Sequence, residues 1–515
     1  MAPNKWVIAG TVMTGTIMAA LDASIVNVAL PQMSGTLGVT IEEITWVVTG
    51  YMLSNVFVMP LIAWLSARFG RKRMYVASVL LFTGASMCCG LARTLPMMVT
   101  FRALQGAGGG VLMTVSQAIL REAFPRHEQG VAMGVYGMGV VLAPALGPTL
   151  GGWLTDQYAW PWIFYVNVPI GVLNLLLVQP FIADPPYLVR ERGRVDVPGI
   201  ALLALGLGAL QLLLEEGQRK DWFDSSFIVT LAVASGLGLA LFVWRELATD
   251  RPAVDLRILK SASFSSATAL GGVLGMGLYG SLFLLPLFMQ NLLGYPAETS
   301  GLALMPRSLA MAVVMPLGGL LYNRVGPRPL IATGLLVSAF SFRELSRLTS
   351  AVGFWDVFVP QLWQGVGFSL IFVALSTAAL GAIEKAKMTA AAGLYNVVRQ
   401  VSGSVGIAVA ATTLTTGIAR YHDVLAEHIT MYDPATRERL GALTAALRTA
   451  GSDAYTAARR ALDLLNAEVT RQAAVLSYDH VFALVMLLFA LALPLVLLLR
   501  ATGTARDEAA ALIAE

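Results

Sequence analysis

Long apolar runs, separated by short polar punctuation, dominate this chain. A helix crosses a bilayer with roughly 20 predominantly apolar residues. Fourteen runs meet that length: 6–31, 44–66, 74–92, 96–120, 130–153, 162–183, 197–215, 226–246, 263–290, 299–322, 329–348, 356–382, 389–413 and 478–500. Lipid offers no partner for backbone amides, so each run is expected to close its own hydrogen bonds as a helix. The pattern predicts an all-α polytopic membrane protein with 14 transmembrane helices.

The polar punctuation sets the expected orientation. With the N-terminus in the cytoplasm, the inner side holds Lys5, Arg68, Arg71, Lys72, Arg73, Arg121, Arg126, Arg190, Arg192, Arg194, Arg245, Arg251, Arg257, Lys260, Arg324, Arg328, Lys385, Lys387, Arg500 and Arg506. The short outer loops hold Arg93, Arg219, Lys220 and Arg347. Basic residues of short loops stay inside, so both termini are expected in the cytoplasm. Residues 414–477 break the rhythm, being polar with seven Arg against seven Asp and Glu. Long loops cross regardless of charge, which puts this one outside. Asp433-Pro434 reads as a helix start, Gly451 as a stop and Ser452-Asp453 as a second start. Leu440, Leu443 and Leu447 share one helical face, as do Leu462, Leu465 and Val469. A helical hairpin and a solvated connector both fit.

The chain repeats itself. Ala63 to Lys72, with Arg68, Gly70 and Arg71, lines up with Gly319 to Arg328, with Arg324 and Gly326, at an offset of 256. Arg102, Gln105, Gly106 and Gly108 line up with Gln361, Gln364, Gly365 and Gly367 at an offset of 259. Parallel halves with a site between them are a recurring transporter plan. The expected division is an N-terminal six-helix bundle over 1–185, an inserted pair of helices over 186–261, and a C-terminal six-helix bundle over 262–515. The inserted runs carry few polar residues and are expected to pack outside the central cavity.

Composition narrows the function. The hydrophobic fraction is 57% and only 13% of residues are charged, about half the soluble-protein share of roughly 25%. The net charge of +4 comes from loop residues that set topology, so nucleic acid is not an expected partner. Cys88 and Cys89 are neighbours in an apolar run, and the four histidines are scattered; no metal set or disulfide framework emerges. The first run is long enough to span and is followed by others, so it is not read as a cleavable signal. There is no Walker loop and no nucleophile–base pair, which argues against an ATP-driven pump or a hydrolase. No cofactor is expected beyond a coupling ion.

Ionisable groups inside a bilayer cost roughly 2.5–3.5 kcal/mol at its centre and are functional candidates by default. Asp22 lies nine residues before Pro31, ~13 Å from the outer end of its helix, and Arg102 lies six residues after Pro96, ~9 Å in from the same side. The two can meet. Burial favours a protonated carboxyl and a neighbouring guanidinium favours the ionised form, so a change of access could load and release a proton; alternatively Asp22 only pins a helix. Arg307 and Arg399 could face a cavity or bond a carbonyl. Asp479 reads as an interfacial anchor or cap. Gln290, Asn291, Gln364 and Asn396 are polar positions expected near a cavity. Gly147, Pro148, Gly151 and Gly152 read as a hinge and seal between halves.

Several stretches resemble a known family. Leu21-Asp22, Asn27 and Ala29-Leu30-Pro31 in the first run, Arg102 with Gln105-Gly106 in the fourth, and Gly134, Ala143, Gly147-Pro148 and Gly151-Gly152 in the fifth are similar to motifs of the major facilitator superfamily, in its fourteen-span drug:proton antiporter branch (the EmrB/QacA type). Trp160 to Gly171, with Asn167 and Pro169, resembles the same branch. The resemblance implies proton-coupled efflux of amphipathic small molecules across the inner membrane, with Asp22, Arg102 and Gln105 in coupling, Asn27 facing the cavity, and Arg68, Gly70 and Arg71 in gating. It also implies a tripartite pump with a periplasmic adaptor and an outer-membrane channel. Two departures stand out: Ala63 and Ala67 occupy positions that are Gly and Asp in the family's loop motif, and Gln361 replaces an Arg in the second half. A dedicated exporter of one metabolite and a transport-incompetent sensor remain the competing readings.

Overall fold

The computed structural model describes residues 4–184, 196–249, 252–349, 352–381, 383–384 and 387–499. The 185/186 boundary and the basic residues Arg190, Arg192, Arg194, Arg251, Lys385, Arg500 and Arg506 lie outside them. The described chain is helical, with no strand among the described residues. The first half comprises α1 (Lys5–Leu37), α2 (Ile41–Ile44), α3 (Trp46–Phe69), α4 (Arg71–Gly90), α5 (Leu95–Ala123), α6 (Gln129–Gln157), α7 (Trp162–Tyr165) and α8 (Asn167–Phe181). The inserted pair is α9 (Val197–Glu216) and α10 (Ser226–Ala248). There follow α11 (Ala262–Asn291), α12 (Ala297–Val325), α13 (Pro327–Leu345), α14 (Phe354–Gly381), α15 (Met388–Glu427), α16 (Pro434–Thr449) and α17 (Ala454–Leu491).

Among the described residues 12 helices are long and apolar enough to cross a membrane. The fourth and eleventh expected runs, now α5 and α13, are helices but fall outside that set. Their sequences explain it: α5 carries Arg102, Gln105, Gln117 and Arg121, and α13 carries Arg328, Arg343 and Glu344. Both are nevertheless packed into the bundles, α5 against α1, α3 and α4, and α13 against α14 and α17.

Packing follows the repeat. In the first half α1 lies on α5 and α6, and α3 on α5; in the second, α11 lies on α14 and α15, and α12 on α14. The halves meet where α6 packs on α12 and α3 on α15. Gly70, between α3 and α4, and Gly326, between α12 and α13, have φ of +90° and +79°. A side chain would strain both backbones, which accounts for the repeated loop glycine.

α9 and α10 pack on each other through Gly206 and Gly238, where an added Cβ would come within 2.9 Å of the facing helix. But α9 also lies along the seam, touching α3 and α15. Gln211 donates to Ser404 at 2.9 Å, and Trp222 just beyond α9 donates to Thr412 at 2.9 Å. Polar groups at one end of an otherwise apolar helix thus attach it to the second half.

Residues 414–477 are mostly helix. α15 runs on to Glu427 and α17 starts at Ala454, so two membrane helices continue past the apolar zone and α16 packs against α17. The hairpin reading holds, and the two caps are explicit. Asp433 accepts from the amides of Ala435 and Thr436, and Asp453 from those of Tyr455 and Thr456. Hydrogen bonds from Thr436 and Thr456 hold these carboxyls below their ordinary 3.8. A depressed value means the stabilisation is complete above the ordinary value and is lost as pH falls through the native one. Amide exchange at 435–436 and 455–456, corrected for intrinsic rates, should therefore accelerate below pH 3.8 relative to pH 6; unchanged protection would contradict the caps.

Candidate functional site

The polar cluster on α1 is built from four helices. Asp22 is wholly buried. Its Oδ2 accepts from Arg102 Nη1 at 2.5 Å, and its Oδ1 accepts from Gln105 Nε2 and Asn167 Nδ2, each at 2.8 Å. Arg102 and Gln105 are three apart on α5 and so share a face; the guanidinium also donates to Gln105 Oε1 at 2.8 Å and to the Val47 carbonyl of α3 at 3.2 Å. It lies over the Tyr51 ring at 4.3 Å. Charge-assisted bonds of this kind are the strong ones, and they satisfy both charges at depth.

Local sequence explains how these groups converge. Gly106 lets α5 approach α3: a Cβ there would meet the Tyr51 carbonyl oxygen at 2.2 Å. The sixth expected run is broken at Val166, and α8 starts afresh at Asn167. Pro169 sits in the first turn of α8, where no intrahelical N–H is missed. That break points Asn167 at Asp22, and Asn167 also donates to Ser86 at 3.0 Å. Sequence reasoning used Asn167 only as part of a resemblance; the available signal was an amide beside a proline in an apolar run.

The second half holds a counterpart cluster without an acid. Arg307 on α12 is 2% exposed, and its Nη1 donates to Ser281 Oγ at 2.8 Å and Gln364 Oε1 at 3.4 Å. Arg399 on α15 is partly buried, 5.1 Å from the Phe372 ring centre. Phe372 in turn stacks on Tyr136 of the first half at 6.5 Å, so Arg399 lies at the seam.

The remaining candidates are spread along the helices. Asn396 is at the seam, donating to Gln117 of α5 at 3.0 Å. Gln290 and Asn291 are exposed at the end of α11, just before the turn at Gly294. Asn27 is exposed on α1, five residues and so about 140° around the helix from Asp22. Gly147 and Gly151 do not face the other half. A Cβ on either would meet Ser24 or Ile25 of α1, and Gly152, beyond Pro148, has nothing within 4 Å. The close approach of the halves lies instead at the start of α6: Gly130 and Gly319 of α12 oppose each other so closely that a Cβ on Gly319 would come 2.3 Å from the Gly130 carbonyl oxygen.

That contact belongs to a belt of links near the start of α1. Arg71 is buried and bonds Glu122 of α5 at 2.5 Å and Thr389 of α15 at 3.1 Å. Arg121 donates to the Thr377 carbonyl of α14 at 2.6 Å, and Asn323 bonds the His127 carbonyl. Glu122 thus supplies a carboxylate to the loop in which Ala67 lacks one; its distance in sequence hid it. Arg68 is exposed beside this belt, while Gly70 forms the turn. A cavity of about 260 Å³, lined by Arg121, Glu122, Gln129 and Met388, opens at this same end, away from Asp22.

The description Major Facilitator Superfamily matches residues 12–407. The chain belongs to this superfamily. It is a multi-pass membrane protein, a transporter rather than an enzyme by family. Among its relatives, the fatty acid resistance protein FarB of Neisseria gonorrhoeae is 34% identical over 486 residues, 93% of each chain. The multidrug export protein EmrB of Haemophilus influenzae is 36% identical over 429 residues, 82% of this chain and 83% of the relative. A double-tryptophan mutant of XylE shares the fold at a TM-score of 0.65 and 12% identity, covering 98% of both chains.

Proposed function

We propose that this superfamily member is a proton-coupled exporter of amphipathic toxic compounds across the inner membrane. On this reading it spans the membrane fourteen times with both termini in the cytoplasm, as its basic loops require. The supporting observation is the buried Asp22, bonded by Arg102, Gln105 and Asn167. A carboxylate kept at this depth needs a reason, and proton exchange supplies one. The relatives named for multidrug export and fatty acid resistance support efflux as the direction.

The mechanism follows from the belt and the cluster. With the start of α1 inside, the halves touch at the cytoplasmic end, so this conformation faces outward. In it Asp22 takes a proton from outside, which weakens its hold on Arg102. Closure of the outer end then breaks the Arg71–Thr389 and Arg121–Thr377 links and opens the inner end. Cargo enters, the proton leaves inward, and the potential contributes roughly 2.3 kcal/mol per charge per 100 mV. The raised hairpin of α16 and α17 is the surface through which a periplasmic adaptor, leading to an outer-membrane channel, would be engaged. Export of a narrower class is the second reading, favoured by the name of FarB.

The test is reconstitution. Proteoliposomes holding only this chain and given a pH gradient should accumulate amphipathic dyes, and an ionophore that collapses the gradient should stop accumulation. Uptake indifferent to the gradient would remove proton coupling.

A further inference from the structure

The second half repeats the first half's buried cluster with its acid removed. The offsets that align the halves, 259 and 256, bring Ser281 onto Asp22, Gln361 onto Arg102, Gln364 onto Gln105 and Arg307 onto Tyr51. The structure honours the alignment: α11, α12 and α14 pack as α1, α3 and α5 do. In the first half the donors close on a carboxylate. In the second the donors remain. Arg307 is 2% exposed, and Gln361 and Gln364 are wholly buried. Among the described residues, neither amide atom of Gln361 nor Nε2 of Gln364 has a hydrogen-bond partner, and Arg307 forms no ion pair.

A buried guanidinium without a counter-charge is costly, and a buried amide without a partner adds to the cost. An anion at the end of the Ser281 side chain would give the Arg307 guanidinium a counter-charge and offer an acceptor to the amide nitrogens of Gln361 and Gln364. The face of α12 that carries Arg307 continues through the buried Met311 and Met315, four and eight residues on. Met315 packs on α6 at Gly134 and Gly137, where Tyr136 stacks on Phe372. This gives a stripe ~12 Å long, cationic at one end and lined by adaptable thioethers and aromatic rings towards the other.

We propose that Arg307, Gln361, Gln364 and Ser281 form the head-group site for a carboxylate-bearing amphipath, whose aliphatic tail follows Met311 and Met315 to the seam. The cargo supplies in trans the acid that Asp22 supplies in cis. The inference rests on the exporter reading and names the class of its cargo.

The experiment measures binding of radiolabelled decanoate to the full chain in nanodiscs, with decanol, decyltrimethylammonium and acetate as competitors. Unlabelled decanoate should displace the label, and the other three should not at the same concentration. Ser281→Asp places a carboxylate against Arg307 and should weaken decanoate binding at least tenfold, with an undiminished melting temperature because it pairs the buried charge. Arg307→Gln should weaken binding to a similar degree. Parental binding in Ser281→Asp, equal competition by decanol, or no decanoate binding by the parent protein would overturn the inference. Equal competition by acetate would reduce the site to one for small anions and overturn the amphipath assignment. Gradient-driven dye uptake in proteoliposomes is read separately, so the exporter reading stands or falls on its own result.

Discussion

Asp22→Asn should reduce proton-driven export to the background of empty vesicles, and it should also destabilise the protein. The asparagine can keep the bonds to Gln105 and Asn167 but not the charge. Arg102, 1% exposed, then remains buried without a counter-ion, a change worth about 3–5 kcal/mol in comparable cases. The double variant Asp22→Asn/Arg102→Gln removes both charges. It should recover much of the lost melting temperature while export stays at background. That split separates a coupling acid from a structural pin, because a pin would return with stability. A double variant that both folds and exports would show that Asp22 serves only to hold α1 against α5.

Gly319→Leu should lower export at least tenfold by wedging the halves apart where α12 crosses α6. The atoms that an added Cβ meets are backbone, the Gly130 carbonyl at 2.3 Å and 2.6 Å and the Val131 Cα at 2.9 Å; no rotamer change relieves them. Overpacking of this kind costs about 1–3 kcal/mol, and here the cost falls on one end of the transport cycle. In a background lacking Cys88 and Cys89, cysteines at 127 and 323 should cross-link readily in the parent and poorly in Gly319→Leu. Gly318→Ala is the control. Its nearest neighbour is the Leu370 side chain at 3.6 Å, so it should export normally. Unchanged cross-linking in Gly319→Leu would mean that the glycine pair is not the seal.

The membrane fold was legible because lipid imposes one rule on every crossing segment, and runs of apolar residues express it directly. The Asp22–Arg102 pairing was legible from depth, since the two charges lie at similar distances below the same end of two antiparallel helices. Asn167 and Glu122 were not, because their roles depend on a helix break at Val166 and on a contact 51 residues away from Arg71. The glycine motif of α6 illustrates a different limit. Spacing shows that a helix has a small-residue face, but not which neighbour fills it; Gly147 and Gly151 take α1, while Gly130 and Gly134 take α12. The docking position of the inserted pair was hidden for a similar reason. Its apolar stretch announces a lipid-facing helix, yet the polar end around Gln211 decides where α9 docks.

The central claim is that one carboxyl at Asp22 trades its proton for cargo. The most direct measurement is substrate-triggered proton release from the purified chain in weakly buffered detergent, followed with a pH-sensitive dye. Adding an exported amphipath should release about one proton per bound molecule from the parent protein and none from Asp22→Asn that still binds the compound. Equal release from both proteins would contradict the account.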